Sequence, residues 1–158
     1  MKLLSWIKAL SLIAAVGVGL AACETIKPRV AYEATLTLTA PGAVVNGGET
    51  FTFQVTLSYQ DQRGEMKPLA HQPVQLDGAE FGVSGEMLTD EQGQITLELV
   101  APLLPEREKE RDAWIRAHFD GTVIEYAEQV GRFSDANNSR YFNIKQSAPG
   151  RNNPGIPG

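Results

Sequence analysis

The stretch that decides the fold of this chain is Thr50-Phe51-Thr52-Phe53-Gln54-Val55-Thr56-Leu57-Ser58-Tyr59, in which polar and apolar or aromatic side chains alternate. Successive side chains of a β-strand point to opposite faces, so this alternation predicts a strand with one face toward a core. The inward set runs over the odd-numbered positions from Phe51 to Tyr59, where aromatic and β-branched types predominate. The stretch therefore predicts a half-buried strand in a sheet that covers a hydrophobic core.

Shorter stretches on both sides of this strand have the same alternation and are separated by turn signals. Further strands are predicted around residues 35–39, 74–76, 95–99, 114–119, 122–126 and 140–144, with 81–88 as a short strand or an irregular crossing. About seven or eight short strands at this spacing favour an all-β fold, a β-sandwich. We also expect residues 122–126 to pair back on 114–119, because Asp120-Gly121 between them is a strong hairpin signal.

One charged segment, residues 105–112, departs from the strand pattern. It reads Pro-Glu-Arg-Glu-Lys-Glu-Arg-Asp and is rich in good helix formers. Opposite charges three residues apart would support a helical turn. The segment predicts either a solvated turn or two of helix or a disordered surface loop.

The composition excludes several classes of function. The 158 residues suit one ordinary domain, and a net charge of −5 without a basic block argues against a nucleic-acid partner. Two His and one Cys cannot supply an intrachain disulfide or a Cys/His metal site. No Gly-x-Ser-x-Gly elbow is present, and the carboxylates cluster in turns and in residues 105–112, where water solvates them. We therefore expect no catalytic residue, no metal site and no cofactor; a structural calcium near Asp61, Asp90 or Asp120 is a weak alternative.

Residues 1–22 have the features of a secretory signal peptide. Lys2 and Lys8 give a positive start, and residues 9–20 are almost entirely apolar before Cys23. The apolar part is shorter than the roughly 20 residues that a helix needs to cross a bilayer. The segment is therefore expected to be cleaved rather than to span the membrane.

The stretch Leu20-Ala21-Ala22-Cys23 resembles the lipobox of bacterial lipoproteins. The resemblance implies cleavage between Ala22 and Cys23, a diacylglyceryl group on the Cys23 thiol and an acyl chain, such as palmitate, on the new N-terminus. Each buried methylene contributes about 0.8 kcal/mol, so two or three chains anchor a protein durably to a membrane. Glu24, in place of the Asp that favours retention at the inner membrane, implies an outer-membrane location in the bacterial cell envelope.

Four stretches, residues 36–41, 47–53, 72–76 and 88–97, together carry a second resemblance. They resemble the bacterial immunoglobulin-like domains of invasin- and intimin-type adhesins. In the last stretch Asp90 would bond to the backbone two residues on, and Gly93 would take a backbone angle that a side chain resists. The resemblance implies an immunoglobulin-like β-sandwich of about seven strands.

A surface suited to binding is predicted on the strand at 114–119. If the apolar residues of this strand face the core, Trp114 faces outward beside Arg116 and His118. Trp and Arg are enriched at protein contacts, and an exposed aromatic ring also suits a sugar. The alternative is that Trp114 covers an edge of the sandwich or, in the reversed register, belongs to the core.

The sequence thus divides into a signal peptide (1–22), a lipidated N-terminus and tether (23–31), the sandwich (32–146) and a disordered tail (147–158) rich in Pro, Gly and Asn. We expect a non-enzymatic protein-binding, adhesion or structural module of the envelope, held by its lipid. Such a module would present loops or an edge strand to a protein partner. A glycan-binding module that uses exposed aromatic side chains is the alternative.

Overall fold

The computed structural model describes residues 26–147, and nearly all regular structure in this range is β-strand. The strands are β1 (Arg29–Tyr32), β2 (Ala34–Thr39), β3 (Val44–Asn46), β4 (Thr50–Gln60), β5 (Met66–Pro68), β6 (Pro73–Gly78), β7 (Val83–Leu88), β8 (Gln94–Val100), β9 (Glu110–Phe119), β10 (Thr122–Glu125), β11 (Val130–Phe133) and β12 (Ala136–Lys145). One 3₁₀ turn, Ala79–Phe81, lies between β6 and β7. Within residues 26–147 no helix is long and apolar enough to cross a membrane. The predictions for the signal peptide, for Cys23 and for the tail beyond residue 147 fall outside this range.

The strands form two main sheets and one small sheet. In the first main sheet β4 pairs with β2 on one side and with β8 and β5 on the other. The second main sheet has the order β3-β12-β9-β6-β7, and the third sheet has the order β1-β11-β10. The apolar faces of the sheets meet in one hydrophobic core, an all-β arrangement consistent with a β-sandwich.

The alternation along β4 places its side chains as the sequence predicts. Phe53, Val55 and Leu57 are fully buried and Phe51 is nearly so, whereas Tyr59 is half-buried. Every second residue between them is exposed or half-buried. Aromatic rings from the second sheet complete the core, since Phe142 packs against both Phe51 and Phe53.

The N-terminal part of the chain contributes to both main sheets. β2 pairs antiparallel with β4 in the first sheet, and after the bend at residues 40–43 β3 pairs parallel with β12 in the second. Backbone bonds extend this contact, because Asn143 donates to the carbonyl of Ala43 and Gly47 donates to that of Lys145, both at 2.8 Å. One segment therefore joins the two sheets along one side of the molecule.

The turn at residues 89–94 forms as the sequence predicts. The carboxylate of Asp90 accepts hydrogen bonds from the backbone N–H of Gln92 at 2.9 Å and of Gln94 at 2.8 Å. Gly93 has a φ of +72°, and an added Cβ would lie 2.5 Å from the carbonyl oxygen of Leu57. Glycine is required here both for the backbone angle and for the close approach of β4.

The predicted hairpin between residues 114–119 and 122–126 is wrong. β9 is already paired on both sides, with β12 along its whole length and with β6 near its end, so no edge remains for residues 122–125. Instead β10 turns back on β11, and β1 adds to the other side of β11 in parallel. Asp120-Gly121 therefore links β9 of the second main sheet to β10 of the third sheet. The backbone is closely packed at this link, because an added Cβ on Gly121 would lie 2.8 Å from the carbonyl oxygen of Phe133.

The boundary drawn between tether and domain also needs correction. Residues 29–31 were expected to belong to the tether at 23–31, but they form β1 with Tyr32. The reason is non-local: β11 offers a strand edge that the N-terminal segment can pair with. At the other boundary the hydroxyl of Ser147, expected to open the tail, bonds to the carbonyl of Gly47.

Of the two alternatives predicted for residues 105–112, a turn or two of helix or a surface loop, the helix is wrong. Residues 110–112 are the first of β9, in register with β12, and the residues before them form a turn. The turn is held by Arg111, whose guanidinium lies 2.6 Å from Glu108 and 3.0 Å from Glu80. Pairing with β12 overrides the local preference for helix.

Candidate binding surface

Trp114, Arg116 and His118 lie together on the outer face of β9, as the alternation predicts. The intervening Ile115 and Ala117 are fully buried, whereas Trp114 is 37% exposed. The register with Trp114 in the core, which the sequence left open, is therefore wrong. Arg116 is exposed and His118 is half-buried.

Trp114 and Arg116 form a stacked pair. The guanidinium carbon of Arg116 lies 5.0 Å from the centroid of the Trp114 ring, which is within cation–π distance. The guanidinium therefore covers part of one ring face, and the two side chains present a joint apolar and cationic surface.

Two further apolar side chains extend this surface across the second main sheet. Tyr141 on β12 is directly opposite Trp114 and is 68% exposed, and Val44 on β3 is 53% exposed. Val44 and Val45 are successive residues of β3 and point to opposite faces of the sheet, so Val44 faces outward while Val45 is buried. We call Val44, Trp114, Arg116 and Tyr141 the aromatic face; an open groove runs along it beside Asn143 and Asp112.

Sequence reasoning missed Tyr141 and Val44. The signal for Tyr141 was available, since Phe142 and Ile144 alternate with it and are buried. What the sequence lacked was the pairing of β12 with β9, which places Tyr141 beside Trp114. Val44 lies in a strand of three residues, too short for an alternation to be recognised.

His118 is directed away from the aromatic face toward the end of β9. Its Nε2 lies 2.7 Å from Oδ1 of Asp120, and both side chains are open to solvent. His71, the second histidine, has a φ of +56° and donates its backbone N–H to Thr89. Across residues 26–147 no group of three or more His, Cys, Asp or Glu side chains could hold a metal ion.

Several carboxylates have structural roles. Asp61 accepts backbone N–H bonds, first from Glu65 and also from Arg63, and these bonds lower the pKa of Asp61. The hydrogen bond from Arg111 lowers the pKa of Glu108, and that from Lys27 lowers the pKa of Glu125. These groups stay ionised in turns and surface ion pairs rather than being held neutral in a cleft, as a general acid would need.

In comparisons with known proteins, no family model, no curated protein and no solved structure matches the chain.

Proposed function

We propose that this chain is a lipid-anchored domain of the bacterial cell envelope that binds a protein partner and catalyses no reaction. The observation that carries the proposal is the aromatic face, an exposed Trp, Tyr and Arg on one side of a rigid sheet. These three residue types dominate the energetic centres of protein interfaces. A sheet surface also presents them in fixed positions, which lowers the entropy lost on binding.

The proposed anchor is Cys23. It is the single cysteine of the chain, and it follows Leu20-Ala21-Ala22 at the end of an apolar segment. A thiol at this point can be alkylated by a diacylglyceryl group, and the small side chains before it suit a signal peptidase. With Glu24 as the next residue, we propose the outer membrane as the location.

We assign the domain to the immunoglobulin-like β-sandwiches. The strand order supports this: β2, β4 and β8 fall in one sheet, β6, β9 and β12 in the other, matching the A-B-E and C-F-G groups of that fold. The added hairpin β10–β11 between the last two strands, and its pairing with β1, depart from the pattern. Adhesion does not follow from the fold alone, so the binding proposal depends on the aromatic face.

A protein partner is favoured over a glycan by the stacking of Arg116. Sugars bind to aromatic side chains by lying flat on an open ring face, and the guanidinium occupies part of that space over Trp114. The specific observation that keeps the glycan alternative is Tyr141, whose ring is 68% exposed. The two proposals differ in which aromatic side chain matters more.

The test is site-specific photocrosslinking in cells that make the full-length protein. A photoreactive residue at Val44, within the aromatic face, should give one defined protein adduct, and the same residue at Met66 should not. Met66 is a matched control because it is 56% exposed but lies on β5 in the first sheet. The double substitution Trp114→Ala with Tyr141→Ala should remove the adduct without changing the amount of folded protein.

Equal adducts from Val44 and Met66, or none from either, would count against a protein partner at this face. Binding to an immobilised glycan that survives Trp114→Ala but is lost in Tyr141→Ala would favour the alternative. The anchor is tested separately with Cys23→Ala, which should leave uncleaved precursor and abolish palmitate labelling. Normal processing of that variant would refute the lipobox.

A further inference from the structure

We infer that the third sheet, β1-β11-β10, is the part of the domain that rests on the membrane surface. The inference depends on the proposed acylation of Cys23 and adds a contact between protein and lipid that acylation alone does not require. It identifies the partner of this sheet as a phospholipid bilayer of phosphatidylethanolamine and phosphatidylglycerol.

Cys23 lies only a few residues before the part of the chain that is fixed in the domain. The carbonyl of Pro28 accepts a hydrogen bond from Val130 at 2.9 Å. The ammonium of Lys27 donates to Glu125 at 2.6 Å and to the carbonyl of Tyr126 at 3.0 Å. Lys27 is four positions after Cys23, so their Cα atoms lie at most about 14 Å apart when the chain is extended. The third sheet is therefore held close to the headgroups by covalent geometry.

Aromatic side chains attach the third sheet to the body of the domain. Tyr32 of β1 stacks on Phe133 of β11 with a centroid distance of 5.2 Å, and Tyr59 of β4 packs edge-on against both rings at 5.0 and 4.9 Å. Aromatic packing of this kind joins the third sheet to the first main sheet. The position of the anchor therefore fixes which end of the domain faces the bilayer.

This end of the domain exposes side chains that suit a membrane surface. Ile26 is 93% exposed and Tyr126 is 37% exposed, the apolar and amphipathic types that enter the interfacial region of a bilayer. Arg29 and Arg132 are both exposed and lie two pairs apart in the register of β1 with β11, and neither forms an ion pair with another residue of the range 26–147. Free guanidinium groups bind lipid phosphates well.

The experiment uses the acylated full chain in vesicles of phosphatidylethanolamine and phosphatidylglycerol. Ala127→Cys places a nitroxide label in the turn between β10 and β11, and acylation leaves this thiol as the reactive one. Leu103→Cys is the control at the opposite end, because residue 103 follows Val100, which pairs with Thr50 at the start of β4, whereas the third sheet packs on Tyr59 near the end of β4. Leu103 is 75% exposed, so its label should meet water.

We expect collisions with lipid-soluble oxygen to be more frequent for the label at residue 127 than for the label at residue 103. Arg29→Gln with Arg132→Gln should reduce this difference, whereas Arg107→Gln with Lys109→Gln, which removes the same charge from exposed residues elsewhere, should not. Equally aqueous labels on a chain whose mass includes the acyl groups would overturn the membrane contact alone. A chain that lacks the acyl groups would overturn the anchor and, with it, this inference.

Discussion

The side-chain amide of Asn138 donates a hydrogen bond of 2.8 Å to the carbonyl oxygen of Leu36. Asn138 belongs to β12 and Leu36 to β2, so this bond connects the edge strand β2 of the first main sheet with the part of β12 that β3 does not pair with. β2 pairs with β4 along one edge only. Without the bond from Asn138, the carbonyl of Leu36 on the other edge of β2 would have to bond to solvent.

Asn138→Ala should lower the free energy of unfolding by about 1 to 2 kcal/mol. The substitution removes the bond to Leu36 and a second one, from the backbone N–H of Ser139 to the Asn138 side chain. Urea denaturation should show a lower midpoint with an unchanged slope. Asn137→Ala is the control, because its exposed side chain points to the opposite face of β12; equal losses from both substitutions would contradict a role for the bridge.

Gly93→Ala should destabilise the domain far more than Gly82→Ala. Both glycines have nearly the same positive φ, +72° and +68°, so an alanine suffers similar backbone strain of about 1 to 2 kcal/mol at either site. Only the Cβ at Gly93 meets the backbone of Leu57, at 2.5 Å, whereas nothing lies within 4 Å of one at Gly82. We expect a loss on the order of 3 kcal/mol or more for Gly93→Ala. Similar melting temperatures for the two variants would show that the close approach of the Leu57 carbonyl to Gly93 does not exclude a side chain at residue 93.

Stability should fall with pH on the acid side, in part through Asp61. Backbone N–H bonds, above all that from Glu65, hold the pKa of Asp61 below its ordinary value of 3.8. In the unfolded chain this carboxylate binds its proton at higher pH than in the folded one. Its contribution is therefore complete above the unfolded pKa and is lost as pH falls through the folded pKa.

The measurement is the melting temperature of Asp61→Asn and of the unaltered protein at pH 7 and at pH 3. The asparagine variant should lose less stability between these two values, because its side chain does not titrate. Glu91→Gln, an exposed substitution in another turn, serves as control and should follow the unaltered protein. Parallel losses in all three proteins would show that Asp61 does not contribute.

Tyr32→Ala should loosen the third sheet. The ring packs on Phe133 and Tyr59, so its removal should cost about 2 kcal/mol and speed amide hydrogen exchange across Val130–Phe133. Tyr141→Ala removes an equal side chain that is 68% exposed and should change stability by less than about 0.5 kcal/mol. If amide hydrogen exchange in β11 is unchanged by Tyr32→Ala, the packing of Tyr32 in β1 does not stabilise the third sheet.

The sequence predicted those features that depend on local pattern. The alternation in β4 and the turn at Asp90 and Gly93 follow from periodicity and from backbone chemistry, whereas periodicity alone left two registers open for Trp114. The strand and the turn each need only neighbouring residues to specify them. The surface that Trp114 offers could therefore be predicted in part.

The features that failed depend on the choice of pairing partner. Residues 122–125 have a strand pattern, but nothing local indicates that they pair with β11 instead of β9. In the same way β1 adds to β11 across about a hundred positions of sequence, and the helix-forming run before β9 yields to pairing with β12. Tyr141 could not be assigned to the candidate surface from the sequence, because its place beside Trp114 depends on the pairing of β12 with β9.

The exposure of Trp114 gives the domain a built-in optical reporter. The chain has two tryptophans, Trp6 in the predicted signal peptide and Trp114 on the aromatic face. After processing, fluorescence excited selectively in tryptophan would therefore come from one indole, next to a guanidinium and open to water. A partner that covers this face should shift the emission maximum to shorter wavelength, so its binding can be titrated without any dye.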